Sequence, residues 1–402
     1  MTQRILIIGA GFAGMWAAFS AARLLDQAKQ QKTVEIALIS PEPALHVRPR
    51  FYEVNPIAMQ ASLKDVLAAV GVKYIQGSVQ HIWPDKHEVE ATGPDGKSIT
   101  LSYDRLVLAS GSKLVEPPVP GLKEHSFNVD TLANAAKLDA HLSALKKLPD
   151  TPARNTVVVA GGGFTGIETA TEMPARLRAI LGEGADVKVI IVERAPDIGP
   201  DLGAGPRPLI MEALKELGII WKTNASVTSV DADGLTTSTG ERIEAKTVIW
   251  TAGVRASALT AEIDGERDGF GRLHVDTELR VKRVPTIFAT GDVAYAAVDD
   301  AGNHALMSCQ HAISLGRHAG HNVVADLIGH PTRPYSQPKY VTCLDLGAWG
   351  AIFTEGWHRE IKLRGAEAKA LKRQINGEWI YPPRADRAEI FAAADPANLV
   401  VA

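Results

Sequence analysis

Residues 4–22 read RILIIGAGFAGMWAAFSAA, and residues 156–173 read TVVVAGGGFTGIETATEM. In each, a short apolar run hands over to helical spacing directly after a cluster of glycines. The glycines stand twice in the order G-x-G-x-x-G: Gly9, Gly11 and Gly14, then Gly161, Gly163 and Gly166. The first glycine of such a loop permits a tight turn, the second lets the backbone approach a pyrophosphate, and the third allows close packing of helix on strand. The phosphates then meet a helix N-terminus, whose free N–H groups and dipole favour anions. One loop of this kind is weak evidence, and two ordinary glycine-rich turns are the competing reading. Here both loops stand between an apolar strand and a helix, which is the context the motif requires. Two dinucleotide sites are therefore expected, with Phe12 and Ala13 inside the first loop and Phe164 and Thr165 inside the second.

Each loop is followed by a further strand, VEIALIS at 34–40 and VKVIIVE at 187–193. An acidic side chain at the end of that strand accepts hydrogen bonds from a ribose 2′-hydroxyl and repels a 2′-phosphate. Glu193 ends the second strand and favours NADH over NADPH, whereas the adjacent Arg194 suits a phosphate and pulls the other way. Ser40 ends the first, a weaker ribose partner than a carboxylate, with Glu42 as a substitute.

Beyond these units, residues 73–108 alternate in short segments that suggest antiparallel hairpins before the strand YDRLVLASGS, and PPVPG at 117–121 reads as a linker. Helical spacing is expected over 131–148 and 208–217, hairpin-like strands over 221–243, and a strand in TVIWTAGV at 247–254. The stretch 271–294 resumes strand character, 308–328 has helical spacing, and the sequence from 334 is less regular. The expected class is α/β, with two Rossmann-like domains carrying antiparallel insertions and a small C-terminal region.

At 402 residues the chain is long for one core, and with 46% hydrophobic and 22% charged residues it can bury two. A net charge of −3 supplies no basic face for phosphates, so nucleic acid is not an expected partner. The two cysteines, Cys309 and Cys343, form no C-x-x-C motif, which fits a reducing, cytoplasmic setting. No metal site is expected, because His318 and His321 read as helix-face residues rather than ligands. The apolar start imitates a signal peptide but contains the loop glycines, and no run of about 18 apolar residues suggests a membrane span. Any membrane contact should be peripheral, at the inner face of the cytoplasmic membrane.

The segments TVIWTAGVRAS (247–257), GRLHVDTELRV (271–281) and TIFATGDVA (286–294) together resemble the type II NADH dehydrogenases, single-chain NADH:quinone oxidoreductases within the two-dinucleotide-binding-domain flavoproteins. The resemblance covers roughly residues 1–330. It implies FAD on the first loop and NADH on the second. It also implies an FAD-binding domain from residues 1–121 and 271–333, an NADH-binding domain at 122–270, and an acceptor-side or interface region at 334–402. Gly291 and Asp292 of the ATGD segment match the stretch that holds the FAD ribityl or pyrophosphate region, with a turn-capping Asp as the alternative. By the same matching, Ala109, Ser110 and Gly111 pass beneath FAD, Val79 offers an adenine backbone contact, and Pro49 belongs to the loop beside the isoalloxazine. Arg48 and Arg50 are unusual in that loop and are either anion ligands or solvated side chains.

Glu168 matches a glutamate that faces the nicotinamide, implying a positioning role with proton delivery as an extra. Dipole complementation in a first helical turn is the plainer alternative. Ala252 and Gly253 would lie under the nicotinamide side of NADH. Gln310 in SCQHAISLG matches the glutamine of an Ala-Gln motif beside the flavin pyrimidine, with Cys309 replacing the alanine and His311 and Ala312 following. A histidine there could stabilise charge on a reduced flavin. In the C-terminal region, residues 365–375 are basic and helix-capable, but Leu371 and Ile375 form a thin apolar face, so a solvated basic helix is expected, and NLVVA at the end is too short to anchor the chain. Three functions stay open: a peripheral NADH:quinone oxidoreductase, an NADH-dependent reductase of another small molecule or redox protein, and a non-catalytic FAD-binding sensor. A homodimer is also left open.

Overall fold

The computed structural model describes residues 2–398. Its two principal sheets grow from the two apolar runs quoted above. In the first, Gln3–Ile8 lies between parallel neighbours Val34–Ser40 and Arg105–Leu108. Lys73–Gln76 extends one side and Val284–Ala289 the other, with Arg280–Val281 antiparallel at the edge. Strands covered on both faces must be apolar throughout, and Ile5, Leu6, Ile7 and Leu106 to Leu108 are fully buried. The second sheet runs Ile220–Lys222, Lys188–Val192, Thr156–Ala160 and Thr247–Trp250, all parallel.

Helix Phe12–Gln27 packs on helix Cys309–Ile328 so closely that a Cβ on Gly320 would fall 2.1 Å from the Ala17 carbonyl oxygen. The late sequence thus completes both the first sheet and the helical layer over it. Two short strands, Ser112–Leu114 and Val254–Ala256, pair antiparallel and form the double connector between the sheets.

Four features differ from the sequence expectation. Lys73–Gln76 and Ile220–Lys222 are parallel edge strands, and the antiparallel pieces begin only at Ser78–Trp83 and Val227–Asp231. The stretch after 334 is regular: Val341–Asp345, Ala351–Glu355 and Glu360–Arg364 form an antiparallel sheet, followed by helices Gly365–Gln374 and Arg387–Ala393. Ala351–Glu355 is buried on both faces and shows no period-two alternation. The basic helix is not solvated all round, since Ala368 and Lys372 are buried. Among the described residues no helix is long and apolar enough to cross a membrane. Of the terminal NLVVA, residues 399–402 lie outside the described residues.

Candidate functional site

The two glycine loops have the same build. A Cβ on Gly14 would sit 1.9 Å from the Gly9 carbonyl oxygen, and one on Gly166 at 1.9 Å from that of Gly161, so any side chain there would drive the helix off its strand. By contrast, a Cβ on Gly11 or Gly163 would meet nothing within 4 Å. These two open positions are the helix N-caps; neither has a side-chain cap, and neither helix has an acidic residue in its first turn. The backbone N–H groups are thus left for an anion. Ser110 Oγ and Thr290 Oγ1, buried at neighbouring strand ends of the first sheet, have no hydrogen-bond partner among the described residues. A dinucleotide fits this cradle: orphaned hydroxyls and a bare helix end want a polar, anionic ligand.

The strand-end residues differ in what they already hold. Glu193 is buried and accepts from Gly162 N–H (2.6 Å) and Ala195 N–H (2.7 Å), so it braces the loop. Arg194 is exposed. Ser40 donates to the Glu42 carbonyl oxygen at 2.6 Å and keeps its lone pairs for another donor. Gly77 N–H reaches the Ser40 carbonyl, which brings Val79 to the same end of the sheet. Ala109 lies directly under Gly9, and Gly291 lies against Ala13 and Ala312, so residues from three distant segments meet at the first loop. At the second loop, Ala252 backs Gly161, while Gly253 accepts from Val115 N–H.

Asp292 is partly buried and accepts from Ser112 Oγ at 2.6 Å; desolvation raises its pKa above the usual aspartate value. Its neighbour in the loop beside it is Arg48, which is held rather than solvated: the guanidinium donates to Ser112 Oγ (2.9 Å) and to Asp130. Arg50 is also paired, with Glu53 at 2.8 Å and the Tyr381 hydroxyl at 3.1 Å. Neither arginine is a free anion ligand as it stands.

Glu168 departs most from a plain first-turn acid. Its carboxylate is buried and meets Lys372 Nζ at 2.9 Å and Asp345 N–H at 3.0 Å. Lys372 also donates to the Cys343 carbonyl at 2.9 Å. Asp345 in turn binds Lys369 and, at 3.2 Å, the Tyr52 hydroxyl. Burial pushes the Glu168 carboxyl up to about 7, with the Lys372 ammonium opposing and the Asp345 carboxylate assisting. Strand Val341–Asp345 ties this pair to Gln310, whose Oε1 accepts from Val341 N–H at 3.4 Å. Lys369, Lys372 and Asp345 were missed by sequence reasoning. Lys372 lies in a segment read as solvated, and its spacing of three from Lys369 was the available sign of one basic helix face.

His311 has no exposed surface; its ring lies 5.3 Å from Tyr340 and 6.1 Å from Trp357, and Nδ1 meets Ser308 Oγ at 2.9 Å. Burial, assisted by Arg272, lowers its pKa to about 4. In the chain as it stands the ring is therefore neutral near pH 7. His318 and His321 are buried as well, and among the described residues no group of three or more His, Cys, Asp or Glu is placed to hold a metal ion.

The profile of the pyridine nucleotide-disulphide oxidoreductase family matches residues 3–316. An NADH dehydrogenase-like protein of Mycobacterium tuberculosis (strain H37Rv) is 46% identical over 403 residues, covering 98% of each chain. A demethylphylloquinone reductase of Synechocystis is 28% identical over 92% of this chain and 91% of its own. Among solved structures, NDH2 of Plasmodium falciparum in complex with NADH superposes with a TM-score of 0.77 at 15% identity, covering 98% of both chains. That likeness speaks for the fold.

Proposed function

Because the chain belongs to the pyridine nucleotide-disulphide oxidoreductase family, and within it to the NADH dehydrogenase-like proteins, we propose that it uses FAD to pass the reducing equivalents of NADH to a quinone-type acceptor. The observation that carries the acceptor assignment is the buried Glu168–Lys372 pair, tied through one strand to Gln310. A quinone takes up protons with its electrons, and a carboxyl titrating near neutrality beside an ammonium is a suitable proton donor through Glu168 Oε2, since Oε1 already accepts from Lys372 Nζ and Asp345 N–H. The demethylphylloquinone reductase and the type II NADH:quinone oxidoreductase of Staphylococcus epidermidis among the relatives support the same acceptor class.

The chain's own contribution is binding, alignment and exclusion of water. The first loop, with Gly9, Gly11 and Gly14, would hold the FAD pyrophosphate on the N-terminus of helix Phe12–Gln27, and Asp292 with Ser110 and Thr290 would take its polar middle. Bound FAD supplies the two-electron relay between nicotinamide and acceptor. Glu193 would accept from the NADH ribose and disfavour the 2′-phosphate of NADPH, while Gly163 leaves the second helix end bare for the pyrophosphate. Ala252 and Gly253 would support the nicotinamide end.

Stopped-flow absorbance on the FAD-loaded protein tests the reading. NADH should bleach the flavin spectrum, and a ubiquinone or menaquinone analogue should restore it. If NADH bleaches the flavin but no quinone analogue restores it, the chain is a reductase of another small acceptor, a reading favoured by the inward-turned, alanine-rich helix Gly365–Gln374. Adding liposomes that carry the analogue tests the peripheral membrane contact that goes with the quinone reading.

A further inference from the structure

The loop that carries Arg48 departs from the first sheet, yet several of its contacts are with the second half, the one built on the second sheet. Pro56–Ala58 packs on helix Leu132–Ala144, and the carbonyl of Tyr52 accepts from Arg176 Nη1 at 3.2 Å, on helix Phe164–Leu181. At the head of the loop, Arg48 Nη2 pairs with Asp130. Asp130 belongs to the body of the second half: Phe127, three residues earlier, bridges Ile249 in the second sheet, and Thr131 caps helix Leu132–Ala144. The second carboxylate oxygen of Asp130 accepts from Leu114 N–H at 3.1 Å. Arg48 Nη1 meanwhile donates to the Ser112 carbonyl (3.2 Å) and hydroxyl (2.9 Å). Ser112 and Leu114 are the two ends of the first connector strand, and the Ser112 hydroxyl donates a hydrogen bond to Asp292 at 2.6 Å.

One guanidinium therefore joins the first-half loop, the connector and the second half, and it is one hydroxyl away from the carboxylate assigned to FAD. A guanidinium spreads its N–H donors over a rigid planar fork and so reaches Asp130 and Ser112 from different nitrogens, whereas the three donors of an ammonium radiate from one atom. We propose that Arg48 is a positioning residue, an interdomain brace that fixes the NADH-binding half against the FAD-binding half and couples that setting to Asp292 through Ser112. The claim rests on the function proposed above only for its kinetic consequence, since hydride transfer is sensitive to small misplacements of its two partners.

Hydrogen exchange and stopped-flow kinetics on FAD-loaded wild type, Arg48→Ala and Arg48→Lys test the brace. In Arg48→Ala, amide exchange in Ser112–Leu114 and Val254–Ala256 should rise about tenfold or more while Gln3–Ile8 stays protected. The limiting rate of flavin reduction should fall roughly tenfold, with NADH affinity changed by less than about twofold. Arg48→Lys, which can keep the Asp130 pair but not the Ser112 contacts, should lie between. The exchanged pair, Arg48→Asp with Asp130→Arg, should recover part of the connector protection that Arg48→Ala loses. Unchanged connector exchange in Arg48→Ala overturns the proposal, as does a loss of bound FAD with the connector still protected, which would make Arg48 a ligand instead. If wild-type flavin is not reduced by NADH, the proposed function fails and the exchange measurements alone decide the brace.

Discussion

Glu168 and Lys372 have both been taken out of water, at 4% and 6% exposure, and each now depends on the other. Removing one partner of such a pair strands a buried charge and costs about 3–5 kcal/mol, whereas replacing both with apolar or neutral groups of similar shape costs far less. Lys372→Ala should accordingly lower the urea midpoint strongly, and Glu168→Gln combined with Lys372→Met should recover most of it. The sign of the pH effect also follows. Glu168 takes up its proton near 7 in the folded chain but near 4.5 when unfolded, so wild-type stability should fall as pH rises from about 4.5 through 7. Lys372→Ala lacks the ammonium that opposes the shift, so its deficit relative to wild type should deepen above about 7. Turnover with a quinone analogue should decline as pH rises through about 7 and lose that step in Glu168→Gln. His311 works in the opposite sense. Its folded pKa of about 4 lies below the unfolded 6.5, so its contribution is present above 6.5 and is lost as pH falls towards 4, a change of ~3 kcal/mol. Urea unfolding of wild type and His311→Asn between pH 7 and 4 measures it, and the variant should show the shallower fall.

At the scale of the elements, the glycine loops separate folding from binding. Gly14→Ala places a Cβ 1.9 Å from a backbone oxygen and should lower the thermal midpoint and the FAD content together. Gly11→Val meets no protein atom within 4 Å of its Cβ, so its apoprotein should melt like wild type while FAD is lost; a Gly11→Val protein that holds as much FAD as wild type would undo the phosphate assignment. This contrast marks what was legible in the sequence. The loops, Glu193 and the strands after them could be read because their residues lie close together and a local turn dictates them. The Glu168–Lys372 pair could not be read, because its partners are 204 positions apart and a lysine on an alanine-rich helix looks the same whether it faces solvent or a carboxylate. Edge strands such as Ile220–Lys222 were misassigned because two or three residues carry no period, and only the register with Lys188–Val192 decides their direction. His311 was legible as a residue near the site but not as a neutral one, since its charge depends on burial.

For the whole molecule, the decisive feature is that the two sheets draw on the chain differently. The second is continuous, built from 156–250, while the first takes strands from 3–108 and then waits for 280–289. A fragment of residues 122–270 should give a cooperative melt by circular dichroism and bind NADH. A fragment of residues 1–270 should fail to retain FAD, because it lacks Asp292 and leaves the Ala13–Ala17 face of helix Phe12–Gln27 uncovered. During synthesis the same arrangement sets an order of events. Arg105–Leu108 emerges with its outer edge open, and its partner Val284–Ala289 follows only after some 175 further residues, roughly ten seconds or more at ribosomal rates. Throughout that interval the nascent chain presents an unpaired, apolar strand edge, the kind of surface that other chains can template on. If Asp292 holds FAD as proposed, the cofactor cannot shield that edge before residue 292 is made, flavin loading is a late event, and the hazard of the unfinished chain falls to whatever meets it at the ribosome.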